Sequence, residues 1–152
     1  MAITIVLADD HRAYREHLRN KLNQEPDMTV VAQAEDGQAA VQTVQDLARQ
    51  NQAPDLVIMD FTMVPMNGME ATRQILSSHP SVKVLALSIH DNRQFVEAMV
   101  QAGASGYMLK DDTFTDLTRA IRAVAAGQTS FSPGLSLPGS GGEPPDDPGP
   151  ES

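Results

Sequence analysis

A chain of 152 residues, 41% hydrophobic, is long enough for one domain around a single core, and nothing in its composition suggests a second. The net charge is −9, and the stretch after Gly142 holds four acids (Glu143, Asp146, Asp147, Glu151) and no base; the −5 left on the remainder argues against a clustered basic face for binding nucleic acid non-specifically. No Cys is present for a disulfide framework, no basic region leads Met1-Ala2-Ile3-Thr4-Ile5, and no run approaches the ~18 apolar residues of a membrane span, so a cytoplasmic protein is expected.

Apolar runs bounded by turn residues alternate with segments of helical period, the pattern of βα units repeated around a parallel sheet. The first strand is predicted over residues 3–8 and ends on Asp9-Asp10, with a helix over 11–24. Pro26 precedes a second strand at 29–34 and a helix at 37–50. Pro54 leads into a third strand, 56–59, which ends on Asp60 and is followed by a helix at 68–78. After Pro80 come a fourth strand at 82–87, then Ser88 and a helix at 92–102. The fifth pair is a strand at 106–109, followed by Lys110, and a helix at 114–126. Each proline stands where the preceding helix has to have ended.

The third and fourth strands are almost wholly apolar, as expected of central strands covered on both faces. Gly103 and Gly127 sit where left-handed helix caps are wanted. On the fifth helix Leu117, Ile121 and Val124 form an apolar stripe, with Arg119 and Arg122 off it. From Ser130 onward Ser, Pro, Gly and acids dominate, with too little apolar surface to offset the entropy of ordering. A folded domain at 1–129 and a disordered linker or tail at 130–152 are therefore expected.

If the first and third strands are neighbours, Asp9, Asp10 and Asp60 meet in the crevice where parallel sheets bind ligands. Two carboxylates ~4 Å apart repel by about 4 kcal/mol at an effective dielectric of 20, so the cluster should hold a proton, a cation or both. Oxygen ligands, with His11 the nearest imidazole, suit a hard ion, Mg²⁺ before Zn²⁺. Plainer readings stand beside this one. Asp10 could cap the first helix, Lys110 could be a solvated charge and Ser88 a turn residue. His11 and His90 suit surface or supporting positions, while Met59, Met63, Met66 and Met69 suit packing in core and loops.

The set Asp9, Asp10, Asp60, Gly68, Ser88 and Lys110 lies at strand ends or shortly past them. Together with Ala8-Asp9-Asp10-His11, Gly68-Met69-Glu70-Ala71-Thr72 and Gly106-Tyr107-Met108-Leu109-Lys110, it resembles the receiver domain of two-component response regulators over about residues 3–128. The NarL/FixJ (LuxR-type) class of these CheY-like receivers is the most similar. The resemblance implies a flavodoxin-like (βα)5 fold, an α/β architecture doubly wound around a five-stranded parallel sheet of order 2-1-3-4-5. It implies that Asp60 accepts a phosphoryl group from a sensor histidine kinase. Asp10 and Asp60 would ligate Mg²⁺ directly, Asp9 through water, and Thr62 through its backbone carbonyl. Lys110 would pair first with Asp60 and then with the phosphoryl group, to which Ser88 would donate its hydroxyl.

Such a protein is not an enzyme with a separate substrate, although it would catalyse its own phosphotransfer and slow autodephosphorylation. Ser88 and Tyr107 would form a switch that reshapes the face made by the fourth helix, fifth strand and fifth helix, Tyr107 rotating inward as it acts. Three departures from the family pattern stand out. Val64 occupies a usual proline position, with Pro65 next; Asp111 follows Lys110 where many receivers have a cis proline; and Ile89 is bulky beside Ser88. A cis bond before Asp111 would cost about 2.5 to 4 kcal/mol and is not assumed. Ile89 is expected to shield the phosphoryl group and slow its hydrolysis.

No helix-turn-helix pattern follows Thr129, so DNA would be reached only through a C-terminal domain outside this chain. A stand-alone receiver working by protein–protein contact is the alternative, and a homodimer is plausible in either case. An aspartyl phosphohydrolase is disfavoured because Thr62 stands where a second acid would be needed. A dinucleotide enzyme lacks its glycine-rich loop, and a pseudo-receiver conflicts with the intact acceptor set.

Overall fold

The computed structural model describes residues 2–133 and residue 135. In chain order the elements are β1 (Ile3–Ala8), α1 (Arg12–Asn23), β2 (Met28–Ala34), α2 (Gly37–Arg49), β3 (Leu56–Met59), α3 (Gly68–Ser78), β4 (Lys83–Ser88), α4 (Arg93–Ala102), β5 (Gly106–Leu109), α5 (Phe114–Ala125) and β6 (Ser130–Phe131). The five expected βα pairs are all present, with no boundary shifted by more than one residue, as fraying ends allow. All strand pairs are parallel and the order is β2-β1-β3-β4-β5-β6.

The period-2 alternation of strand side chains divides the core into two layers. Val6, Ala8, Val57, Met59, Val84 and Ala86 face one way and pack with residues of α2, α3 and α4 such as Val44, Ile75 and Met99. Ile5, Leu7, Ile58, Leu85 and Leu87 face the other way and pack against Leu18 and Leu22 of α1 and Leu117, Ile121 and Val124 of α5. The apolar stripe of α5 is thus buried as its spacing predicts. Truncating fully buried Ile121 to Ala would cost about 2–5 kcal/mol. Met59 and Met63 are core residues, and Met66 and Met69 pack against that core.

Helix starts are fixed by side-chain caps at Asp36, Asn67 and Thr113, which accept from the backbone N–H of Ala39, Glu70 and Asp116. Gly103 and Gly127 have φ of +110° and +90°, the left-handed conformation their positions predict. Among the described residues no helix is long and apolar enough to cross a membrane.

The structure adds a sixth strand to the five expected. Ser130–Phe131 pairs with Gly106 and Tyr107 at the edge of β5, inside the stretch read as a disordered tail; 134 and 136–152 lie outside the described residues. The reason is local. Gly106 has no side chain, and a Cβ there would collide with the backbone oxygen of Ser130, so glycine lets the two backbones meet. Phe131 and Leu135 pack against the core layer that holds Tyr107. The peptide after Lys110 is trans, and the cis bond among the described residues is Val64–Pro65.

Candidate functional site

Three backbone hydrogen bonds gather the sequence-predicted residues at the carboxyl ends of the strands. Asp9 N–H donates to Ala34 (3.0 Å), Asp60 N–H to Ala8 (2.9 Å) and Lys110 N–H to Ser88 (2.9 Å). They extend the β1·β2, β1·β3 and β4·β5 ladders by one residue, so register places the acids, the serine and the lysine at one edge. That edge lies where the strand order reverses between β1 and β3, the usual crevice of a doubly wound sheet. Gly68 is needed for the same closure: its N–H donates to Phe61 (2.9 Å), and a Cβ there would run into the Asp60 carbonyl oxygen.

Asp9 and Asp60 are buried at 6% and 5% exposure, whereas Asp10 is open to solvent. Ligand atoms of Asp9, Asp10, His11 and Asp60 all lie within 4.8 Å of one another. Burial pushes the Asp60 carboxyl up to about 6; Lys110 opposes the rise, Asp9 and Asp10 add to it, and a backbone hydrogen bond from Thr62 opposes it. This is the electrostatic signature of an acid cluster with room for more positive charge. A hard cation fits it, because the open donors are carboxylate oxygens.

Lys110 Nζ stands 2.7 Å from Asp9 Oδ2 and 3.6 Å from Asp60 Oδ2. The expected first partner was Asp60; the closer one is Asp9, because both buried carboxylates at adjacent strand ends share a single ammonium. Tyr14 of α1 lies beneath it, with Nζ 4.7 Å from the ring centre. Burial, then the charges of Asp9 and Asp60, raise the Tyr14 phenol to about 12. Arg15 Nη1 donates to the Asp9 carbonyl and Nε to Gln33 Oε1 (2.9 Å), bracing the β1 end. Neither residue carried a sequence signal beyond its place on the first helix.

Asp10 does not cap α1. The cap position is His11, without a side-chain cap bond, and Asp9 Oδ1 accepts the His11 N–H at 2.8 Å. His11 Nδ1 lies 3.1 Å from Asp10 Oδ1 on an exposed side chain, consistent with a supporting role. On the far side of the site, Thr62 Oγ1 and His90 Nε2 are 2.8 Å apart, and the His90 ring stacks on Phe95, which meets Phe61 edge-on. That cluster ties the loop after β3 to the loop after β4.

Ser88 is fully buried, and its Oγ accepts the N–H of His90 (3.0 Å). Tyr107 is fully buried too, with its hydroxyl donating to the His90 carbonyl at 2.7 Å. The ring therefore already occupies the inward position, and burial raises its pKa. Ile89 is 73% exposed and Val64 78% exposed, two large apolar side chains on the loops that follow β4 and β3.

A family model described as the response regulator receiver domain matches residues 5–122. The transcriptional regulatory protein DegU of Brevibacillus brevis is 42% identical over 131 residues, which cover 86% of this chain and 53% of DegU. Response regulator GacA of Pseudomonas viridiflava is 37% identical over 131 residues, 86% of this chain and 59% of GacA. The chain thus spans between half and three-fifths of the length of these curated relatives. Among solved structures, a LuxR-family two-component response regulator from Aurantimonas sp. SI85-9A1 superposes with a TM-score of 0.81 at 34% identity, covering 88% of this chain and 91% of that one. The signal receiver domain of the response regulator NarL from Mycobacterium tuberculosis gives 0.77 at 31% identity, covering 84% and 98%.

Proposed function

Since the chain belongs to the response regulator receiver domain family, with LuxR-type regulators as its relatives, we propose that it accepts a phosphoryl group on Asp60 from a sensor histidine kinase in the cytoplasm. One observation carries this reading. Both oxygens of buried Asp9 are already taken, by Lys110 and by the His11 N–H, whereas Asp60, equally buried, has its Oδ2 3.6 Å from Lys110 Nζ and its carboxyl pushed up by burial to about 6. A raised proton affinity makes the ionised oxygen a better nucleophile than an ordinary carboxylate.

Asp60 Oδ attacks phosphorus, the P–N bond of the donor phosphohistidine breaks, the imidazole leaves with the electron pair, and an acyl phosphate remains. Bound Mg²⁺ supplies neutralising charge for the transferring oxygens. Asp10 and Asp60 would hold it directly, with the Thr62 carbonyl. Asp9 would act through water, since its oxygens already accept from Lys110 and from the His11 N–H. Lys110 needs only a small shift of its flexible stem to reach a phosphoryl oxygen, and Ser88 can turn its hydroxyl from the His90 N–H to another. That turn would loosen the loop on which the Tyr107 hydroxyl bond rests, giving the Ser88/Tyr107 switch a physical path.

Output through transcription, by a DNA-binding domain outside this chain, is favoured by relatives such as DegU, which is named a transcriptional regulatory protein and of which the matched stretch covers 53%. Action as a homodimer is favoured by a solved structure described as two RcsB dimers bound to two parallel DNAs, at a TM-score of 0.76 and 25% identity. The test is acetyl phosphate labelling with Mg²⁺, read by mass spectrometry after borohydride trapping. Label on Asp60 that vanishes in Asp60→Ala is expected; label on a different residue would overturn the assignment.

A further inference from the structure

Lys110 is held in register by the strand on one side, and what holds it on the other is not a residue of the acid cluster. Asp112, two residues on, does not cap α5, a task taken by Thr113. Its backbone N–H donates to Leu109 (3.0 Å), and its Oδ2 accepts the N–H of the same Leu109 (2.9 Å), closing the turn around Lys110. Its other oxygen, Oδ1, accepts the hydroxyl of Ser132 at 3.0 Å. Ser132 directly follows β6, is 3% exposed, and donates its own N–H to the Tyr107 carbonyl at 2.9 Å.

We propose that Asp112 and Ser132 form a positioning pair for Lys110, which makes the strand beyond α5 a working part of the acceptor site. This rests on the reading of Asp60 as phosphoacceptor. Two carboxylate oxygens, each with its own donor, set the pitch of the turn from both ends. A charged acceptor is worth more than a neutral one, so loss of the Ser132 donor is felt at Leu109 and hence at Lys110. The coupling is reciprocal by linkage: if β6 steadies Lys110, engagement of Lys110 by a phosphoryl group must alter how firmly Ser132 is held. A signal at Asp60 then reaches β6 and Ser132 through Asp112, by a route separate from Ser88.

The experiment uses the full chain and its Ser132→Ala, Ser132→Thr and Asp112→Asn variants. Each is titrated with beryllofluoride and Mg²⁺ by NMR, and exchange of the Ser132 amide is followed with and without the ligand. Ser132→Ala and Asp112→Asn should each bind beryllofluoride about 10-fold more weakly, as for other supporting partners of a charged site, and Ser132→Thr should recover most of the loss. Ser132 amide protection should change on loading the wild type. Variants that lose thermal stability yet bind beryllofluoride as wild type does would reduce the pair to an edge tie and overturn the proposal. If the wild type itself fails to bind at Asp60, the acceptor reading falls first and the positioning role with it.

Discussion

Asp60→Asn should stabilise this protein in the absence of divalent metal, which is the opposite of what removing a paired charge usually does. The carboxyl rises from an ordinary 3.8 to about 6, with burial the largest cause, so the folded chain holds that proton more tightly than the unfolded chain does. A raised acid penalises the folded state as it ionises. The penalty is absent below about pH 3.8, grows between there and about pH 6, and is constant above. A difference of that size is about 3 kcal/mol, since a tenfold change in proton affinity is worth 1.36 kcal/mol. Asn has the shape of the neutral acid and removes the penalty.

Urea unfolding in EDTA, followed by circular dichroism because no Trp is present, should therefore show the variant about 3 kcal/mol more stable at pH 7.5 with an unchanged slope. The corresponding rise in melting temperature is roughly 10 °C for a domain of this size. At pH 4 the two proteins should nearly coincide. Mg²⁺ should then narrow the gap at pH 7.5 by stabilising the wild type, by about 2.7 kcal/mol at one hundred times its dissociation constant. No gain at pH 7.5, or a gain that persists undiminished at pH 4, would refute the claim that burial of this carboxylate sets the electrostatics of the site.

Gly68→Ala should destabilise by about 1–3 kcal/mol and abolish beryllofluoride binding together, because the added carbon strikes the Asp60 backbone; a titration matching wild type would show that the loop yields. Tyr107→Phe removes the bond to the His90 carbonyl and should cost about 1 kcal/mol in urea unfolding, with the amide shifts that beryllofluoride induces in α4 reduced. Ile89→Ala should leave stability within about 0.5 kcal/mol, since the side chain is 73% exposed, yet speed loss of the acyl phosphate. An unchanged hydrolysis rate would remove Ile89 as a shield.

Hydrophobic pattern sufficed for the five βα units because short apolar runs mark the strands and each helix between them is long enough to show its period. The clustering of the acids was legible because parallel strands deliver whatever follows their last apolar residue to the same edge, so Asp9, Asp10, Asp60 and Lys110 could be placed before any contact was known. Two strand residues, Ser130 and Phe131, are too few to show a period. They stand among Ser and Pro that read as linker, and what orders them is the bare backbone of Gly106. A distant partner of that kind leaves no local signal.

The choice of Asp9 over Asp60 as the nearer partner of Lys110 was likewise decided in three dimensions. So were the ring of Tyr14 beneath the ammonium and the bridge from Asp112 to Ser132. The order of residues along the chain determined the architecture and which chemical groups meet at the sheet edge, because backbone register is a consequence of local pattern. Which oxygen faces which nitrogen was left to the packed structure. Side-chain orientation depends on burial and charge summed over elements far apart in the chain, and no local stretch contains that sum.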